Sequence, residues 1–110
     1  MRQLHLNLFI YGCGHHAAAW RHPNSPVERL GDAGYFERLA QSAERAKLDA
    51  VFFADGQYTG SVEDGPKWFL EPITLLSALA RATEKIGLYA VVLRSYLRWA
   101  HCLERGHVDV

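Results

Sequence analysis

Five consecutive apolar residues, Ala50-Val51-Phe52-Phe53-Ala54, end abruptly in Asp55-Gly56. A run this short, closed by a turn signal, reads as a strand buried on both faces rather than as a helix. Such strands belong to parallel sheets, whose two faces are normally both covered. α/β folds place ligand-binding groups at the carboxyl ends of their strands, so a carboxylate at that point is a candidate for function. The plainer reading of Asp55 is a loop cap that bonds backbone amides, and position alone leaves both readings open.

The flanking segments fit the same architecture. Leu4, Leu6, Leu8 and Ile10 alternate with His5, Asn7 and Phe9, a period of two that predicts a first strand. Residues 12–31 are rich in Gly, His, Pro and Asn, and Pro23 and Pro26 argue against a continuous helix there. Asp32 is placed to cap a helix over Tyr35–Lys47, where Phe36, Leu39, Ala40, Ala43 and Ala46 recur at helical spacing. Glu71-Pro72 opens a second helix with Pro at a favoured first position and an apolar stripe of Leu75, Leu76, Leu79 and Ala82. Glu71 itself is most simply an acid favoured by the helix dipole. The third strand is read at Ile86–Leu93.

Strands alternating with helices imply a parallel sheet with right-handed crossovers. The two βα loops, 12–31 and 56–71, are long, whereas the αβ connections near Leu48-Asp49 and Lys85 are short. That asymmetry puts a site at the carboxyl edge of the sheet. Three parallel strands with two helices leave edges and faces uncovered, and a complete (β/α)8 barrel takes about 250 residues against the 110 present. The expected fold class is therefore α/β, the N-terminal βαβαβ portion of a TIM barrel in a truncated chain. Residues 1–92 form the barrel part. Residues 93–110 form a divergent tail, with a short helix through Tyr96, Leu97, Ala100 and Leu103.

Twelve basic residues balance twelve acidic ones, which speaks against a nucleic-acid footprint. No apolar run approaches the roughly 20 residues of a membrane span. Cys13 and Cys102 form no paired motif, which points to a reducing, cytoplasmic setting.

Several local patterns compete for a role. Gly12-Cys13-Gly14-His15-His16-Ala17 matches a dinucleotide fingerprint, but the prolines cut short the helix it needs, and Asp32 lies before a helix rather than after strand two. Cys13, His15, His16 and His22 could suggest a metal, yet adjacent histidines point apart and no carboxylate completes a set. A histidine acting as proton donor in a pocket suits His15 or His16 better. Trp20-Arg21-His22 is either a packing anchor with polar neighbours or an anion clamp, since Arg binds carboxylate or phosphate through two parallel bonds. Tyr58, Trp68 and Phe69 suit a flat ligand and equally suit packing.

Taken together, Leu4–Tyr11, Cys13-Gly14-His15-His16, Ala19-Trp20-Arg21-His22-Pro23, Phe52–Gly56 and Leu70–Leu76 resemble, in order, the start of the nitrilotriacetate monooxygenase component A family. That family is a branch of the bacterial luciferase-like flavin-dependent monooxygenases. The resemblance covers residues 1–92. It implies a TIM barrel, reduced FMN from a separate flavin reductase, molecular oxygen as co-substrate and a small organic substrate. It further implies a homo-oligomer. The family's flavin-contacting aspartate after strand two matches Asp55. Its flavin-contacting hydroxyl after strand three corresponds to Ser95, although the run Leu93-Arg94-Ser95-Tyr96 departs from the family's Ser-Thr-Thr-Tyr-like pattern. Trp20 and Arg21 fall where substrate contacts are expected, with His15 and His16 as candidate catalytic groups. A frameshifted or prematurely ended reading frame would explain the departure after Leu93. Two other readings stand beside this one: a non-catalytic fragment that associates with itself or another chain, and a dinucleotide-binding module.

Overall fold

The computed structural model describes residues 2–54 and 70–91. Its elements are β1 (Asn7–Phe9), α1 (Ala33–Arg45), β2 (Ala50–Ala54), α2 (Pro72–Ala82) and β3 (Gly87–Val91). The three strands form one parallel sheet in the order β1-β2-β3. The expected βαβαβ order and parallel pairing are both present. The loop at 55–69 and the tail from residue 92 lie outside the described residues, and with them the readings made for Tyr58, Trp68, Phe69 and a short C-terminal helix.

One face of the sheet is covered and the other is open among the described residues. Val51 and Phe53 point to the covered face and have no exposed surface. They meet Phe36, Ala40 and Ala43 of α1 and Leu75 and Leu79 of α2 in one cluster, joined by Ile10, Leu30 and Ile86. The rings of Phe36 and Phe53 pack edge to face at 6.2 Å. Fully burying a side chain such as Phe53 or Leu79 stabilises the fold by about 1.5–3 kcal/mol. The alternate residues face the other way. Phe9, Phe52 and Tyr89 are register partners across all three strands and make an aromatic row on the open face. Phe9 and Phe52 stack at 4.6 Å and 10°, while Tyr89 is 60 % exposed. The expectation that β2 is buried on both faces is met in full on the covered face only: on the other, Ala50 is buried, Phe52 half-buried and Ala54 exposed, because α1 and α2 lie on the same side. β1 is also shorter than its alternation predicts: Leu4 and Leu6 are exposed, Ile10 is buried in the core and Leu8 packs half-buried against it.

The helix starts follow from the sequence. Asp32 caps α1, its Oδ1 accepting from Gly34 N at 2.9 Å. Glu71 caps α2 more fully, accepting from Ile73 N at 3.0 Å and Thr74 N at 2.8 Å, which satisfies two of the amides a helix start leaves free. These bonds hold the Glu71 carboxyl below its usual range, the Ile73 amide contributing most.

The α1 end is less obvious. Lys47 adopts φ 59°, with Lys47 N donating to Glu44 O and Leu48 N to Ala43 O. That is a Schellman motif with lysine where glycine is usual. The tight reversal delivers the chain straight into β2.

Two carboxylates then tie the amino edge of the sheet together. Glu44 Oε1 accepts from the backbone amides of Glu84, Lys85 and Ile86, the turn that leads into β3. Asp49 Oδ2 accepts from Leu6 N at 2.7 Å, and its Oδ1 meets His5 Nδ1 at 2.9 Å. Both carboxyls are held below their usual range, Glu44 chiefly by the Lys85 amide and Asp49 chiefly by His5. Gly87 N bonds Asp49 O at 2.8 Å, and Gly87 sits so close that a Cβ there would lie 3.1 Å from Ala50 Cβ and Asp49 O.

Candidate functional site

The carboxyl edge is built differently. The chain leaves β1 and reverses at once through Gly12 at φ 41° and Gly14 at φ 122°, with Gly14 N donating to Tyr11 O at 2.7 Å. Positive φ explains why glycine stands at both places. His15 then folds back on the strand. Its Nε2 donates to the Phe9 carbonyl at 3.2 Å, and its ring packs on Phe9 at 4.6 Å and stacks on Tyr11 at 5.5 Å. His15 therefore anchors the loop to the sheet, and its Nε2 proton is already engaged.

His16 points elsewhere, as expected for adjacent histidines. Its Nδ1 accepts from Ala18 N at 3.1 Å. Short turns of 3-10 helix follow at Ala19–Arg21 and Val27–Arg29, and among the described residues no α-helix begins before Ala33. The dinucleotide fingerprint thus lacks the helix that would receive a pyrophosphate. Arg21 lies over the Trp20 ring at 4.9 Å, a cation–π contact that orients the guanidinium. Trp20 is half-buried and Arg21 exposed, so the pair combines the anchor and the cation weighed for it. His22 repeats the pattern of His16: its Nδ1 accepts from Asn24 N at 3.1 Å.

His16, Arg21, His22, Ser25 and the two prolines Pro23 and Pro26 line one open concavity of about 640 Å³. The Ser25 hydroxyl oxygen is buried there without a hydrogen-bond partner among the described residues. Beneath the loop, burial pushes the Tyr35 phenol up, and the Arg29 guanidinium sits 5.2 Å over its ring. No group of three or more His, Cys, Asp or Glu among the described residues is arranged to hold a metal ion. Cys13 is a free thiol. No helix among the described residues is long and apolar enough to cross a membrane.

The structure thus brings His16, Trp20 and Arg21 into one loop and sets His15 apart as its tether. Asp55 and Ser95 lie outside the described residues, although Asp55 directly follows β2. Sequence reasoning missed Ser25, and it gave His22 no role of its own. No residue pattern marks them: the turns that His16 and His22 close, each accepting at Nδ1 from the amide two residues on, appear only in the structure.

The profile of the family described as luciferase-like monooxygenase matches residues 9–105. The chain is 45 % identical over 97 residues to N-acetyl-S-(2-succino)cysteine monooxygenase of Bacillus subtilis (strain 168), covering 86 % of this chain and 22 % of that protein. It is 36 % identical over 108 residues to nitrilotriacetate monooxygenase component A of Aminobacter aminovorans, covering 86 % and 24 %. It is 32 % identical over 108 residues to dibenzothiophene-sulfone monooxygenase of Rhodococcus erythropolis (strain XP), again covering 86 % and 24 %. The chain spans less than a quarter of the length of these relatives. The resemblance drawn from five sequence motifs and the parallel βαβαβ unit agree with the profile match: the chain belongs to the luciferase-like monooxygenase family.

Proposed function

We propose that this chain forms the opening strands of a two-component, FMN-dependent monooxygenase that inserts one oxygen atom from O2 into a small organic substrate. The observation that carries the reading is the long loop at the carboxyl edge of a parallel sheet, within a segment that matches the family over residues 9–105. When bound, reduced FMN would supply the oxygen activation, and a separate flavin reductase would deliver it. The residues present fit the flat part of such a group. The stacked pair Phe9 and Phe52, with Tyr89 as the next partner in register, offers an apolar surface on the open face of the sheet.

In this reading Asp55 and Ser95 are the polar flavin contacts. Trp20 and Arg21 form the substrate wall, and His16 is the candidate to hold or give a proton. The packing of the loop by His15 would help to keep water from the reacting centre. A cytoplasmic homo-oligomer completes the proposal, in keeping with the free thiol of Cys13.

FMN titration of the purified chain, followed by flavin fluorescence, tests the reading. Asp55→Ala is expected to weaken binding about tenfold, the loss of one charge-assisted hydrogen bond. Unchanged affinity removes the role assigned to Asp55. The second reading, a non-catalytic fragment that self-associates, is favoured by the exposed Tyr89 and Val91 on β3 and the exposed Leu4 and Leu6 just ahead of β1. Its signature is a concentration-dependent oligomer in sedimentation without FMN binding.

A further inference from the structure

Burial does not explain why β3 sits where it does. The five pairs of the β2–β3 ladder, from Ala50↔Gly87 to Ala54↔Val91, hold no charged side chain, and Tyr89 carries their one polar atom. Leu88 packs against the covered core, while Tyr89 and Val91 stand exposed on the other face. A slipped strand would trade one apolar residue for another, and a register with no polar face to keep out of the core is weakly specified. Gly87 supplies part of the answer. A Cβ there would lie 3.1 Å from Ala50 Cβ, Asp49 O and Tyr89 Cε2, so the place disfavours other residues. That limit is repulsive and soft, and it does not draw the strand into place.

The attraction comes from α1. Glu44 Oε1 accepts from Glu84 N at 2.9 Å, from Ile86 N at 3.0 Å and, between them, from Lys85 N. Three successive amides thus converge on one oxygen directly before Gly87, the arrangement by which backbone turns hold anions. One turn earlier on the same helix, Gln41 Nε2 donates to Ala82 O at 3.0 Å. At a spacing of three the two side chains share a face of α1, a donor for the last carbonyl of α2 and an acceptor for the amides that follow. The start of β3 is therefore fastened to α1 by groups of matched polarity.

We infer that Glu44 is a positioning residue: its carboxylate, seated in a nest of the amides of residues 84–86, fixes the register of β3 on β2 and so holds Tyr89 beside Phe52 in the aromatic row. The nest recognises the carboxylate oxygen and not the rest of the side chain. A small free carboxylate, such as formate, should therefore fill it where Glu44 is shortened. The consequence for a flavin laid on that row rests on the proposed function. The placing of the strand does not, and its test contains no flavin.

The test compares the 110-residue chain with its Glu44→Ala variant, in formate and in chloride at equal ionic strength. Cross-strand backbone NOEs in the unaltered chain should join Phe52 to Tyr89, its register partner. In Glu44→Ala in chloride these NOEs should be lost or split with a second set from a shifted register, and the melting temperature should fall. Formate should restore both, saturably, and should leave the unaltered chain unchanged because its nest is filled. If the variant is unfolded in chloride, formate should refold it with the Phe52–Tyr89 NOEs in place. Failure of formate to restore them, from a folded or an unfolded variant, overturns the nest. Equal restoration by chloride overturns the recognition of a carboxylate. Full NOEs in Glu44→Ala without formate, with only a lower melting temperature, would leave the register to Gly87 and overturn the positioning role. Glu44→Gln keeps an acceptor oxygen in the nest and should keep the NOEs; their loss in that variant would equally count against a seat that works through the oxygen.

Discussion

The two edges of the sheet solve opposite problems. At the amino edge every conspicuous acid is matched to donors: Glu44 to three amides of the turn before β3, Asp49 to Leu6 N and His5. At the carboxyl edge the acids Asp32 and Glu71 are spent on helix starts, but the loop leaves Arg21 with no carboxylate and the Ser25 hydroxyl with no hydrogen-bond partner among the described residues. Both edges are largely exposed, so burial does not make the difference. Connection length does. The turn at 46–49 is too short to do more than close the fold, and its polar groups are spent doing so. The loop at 11–32 carries its own internal turns, which satisfy its backbone and leave side chains free. The same division separates stability from function at the two ends of barrel strands in general.

The layer shared by both edges gives the largest test. Phe53 has no exposed surface and touches the helices on the covered face. Phe53→Ala should cost about 3–5 kcal/mol, as a cavity plus lost transfer energy. Urea unfolding followed by circular dichroism measures it. A loss under about 1 kcal/mol would mean that the covered face is not a packed core and that the two edges are not joined through it.

Acid should next break the amino edge before the loop. The carboxyls of Glu44 and Asp49 are both lowered in the folded chain, Glu44 chiefly by the Lys85 amide and Asp49 chiefly by His5. A lowered carboxyl contributes its full stabilisation above its unfolded value, about 4, and loses it as pH falls through the folded value. Melting temperature should therefore be level above about pH 5 and fall below about pH 4. Glu44→Gln keeps one acceptor but loses the charge, and it should flatten that fall. A pH profile unchanged in this variant would show that the amide turn at 84–86 does not depend on the carboxylate.

How far the sequence showed this division depends on which interactions are local. The helix starts were legible, since Asp32 and Glu71 bond amides only two or three residues away. The order of strands and helices followed from apolar periodicity, and the site edge followed from loop lengths. The Glu44 and Asp49 ties were not legible, because their partners lie some forty residues distant in sequence and meet only when the sheet forms. Nor was the Lys47 turn, which lacks the glycine that marks such ends. In the loop, the adjacency of Trp20 and Arg21 suggested an anion clamp. Which nitrogen of each histidine faces outward depended on two backbone amides that no residue pattern revealed. Asp55 was conspicuous because it interrupts an apolar run, a signal that identifies a strand end but not what the acid touches there.

Smaller changes sharpen the contrast between the edges. Asp32→Ala removes the cap where the loop enters α1 and should cost about 1 kcal/mol. At the other edge, Lys47 holds a left-handed conformation at φ 59° that a side chain disfavours. Lys47→Gly should stabilise the chain by about 0.5–1 kcal/mol, the strain relief exceeding the added freedom of the unfolded glycine. A destabilised Lys47→Gly protein would show that the lysine side chain contributes more at that turn than its backbone costs.

The smallest expected change in stability is also the sharpest comparison. Arg21 is exposed, stacks on a half-buried Trp20, and pairs with no carboxylate among the described residues. Losing such a contact at the surface should move unfolding by no more than about 0.5 kcal/mol in Arg21→Gln. Glu44→Gln, with the same loss of one charge, acts on a group that bonds three amides and should lower the melting temperature visibly at neutral pH. Two single-charge removals would then differ because one charge is bonded by the fold and the other stands on its surface. Equal melting temperatures for the two variants would erase that distinction, and a larger loss for Arg21→Gln would reverse it, making the loop part of the structural framework.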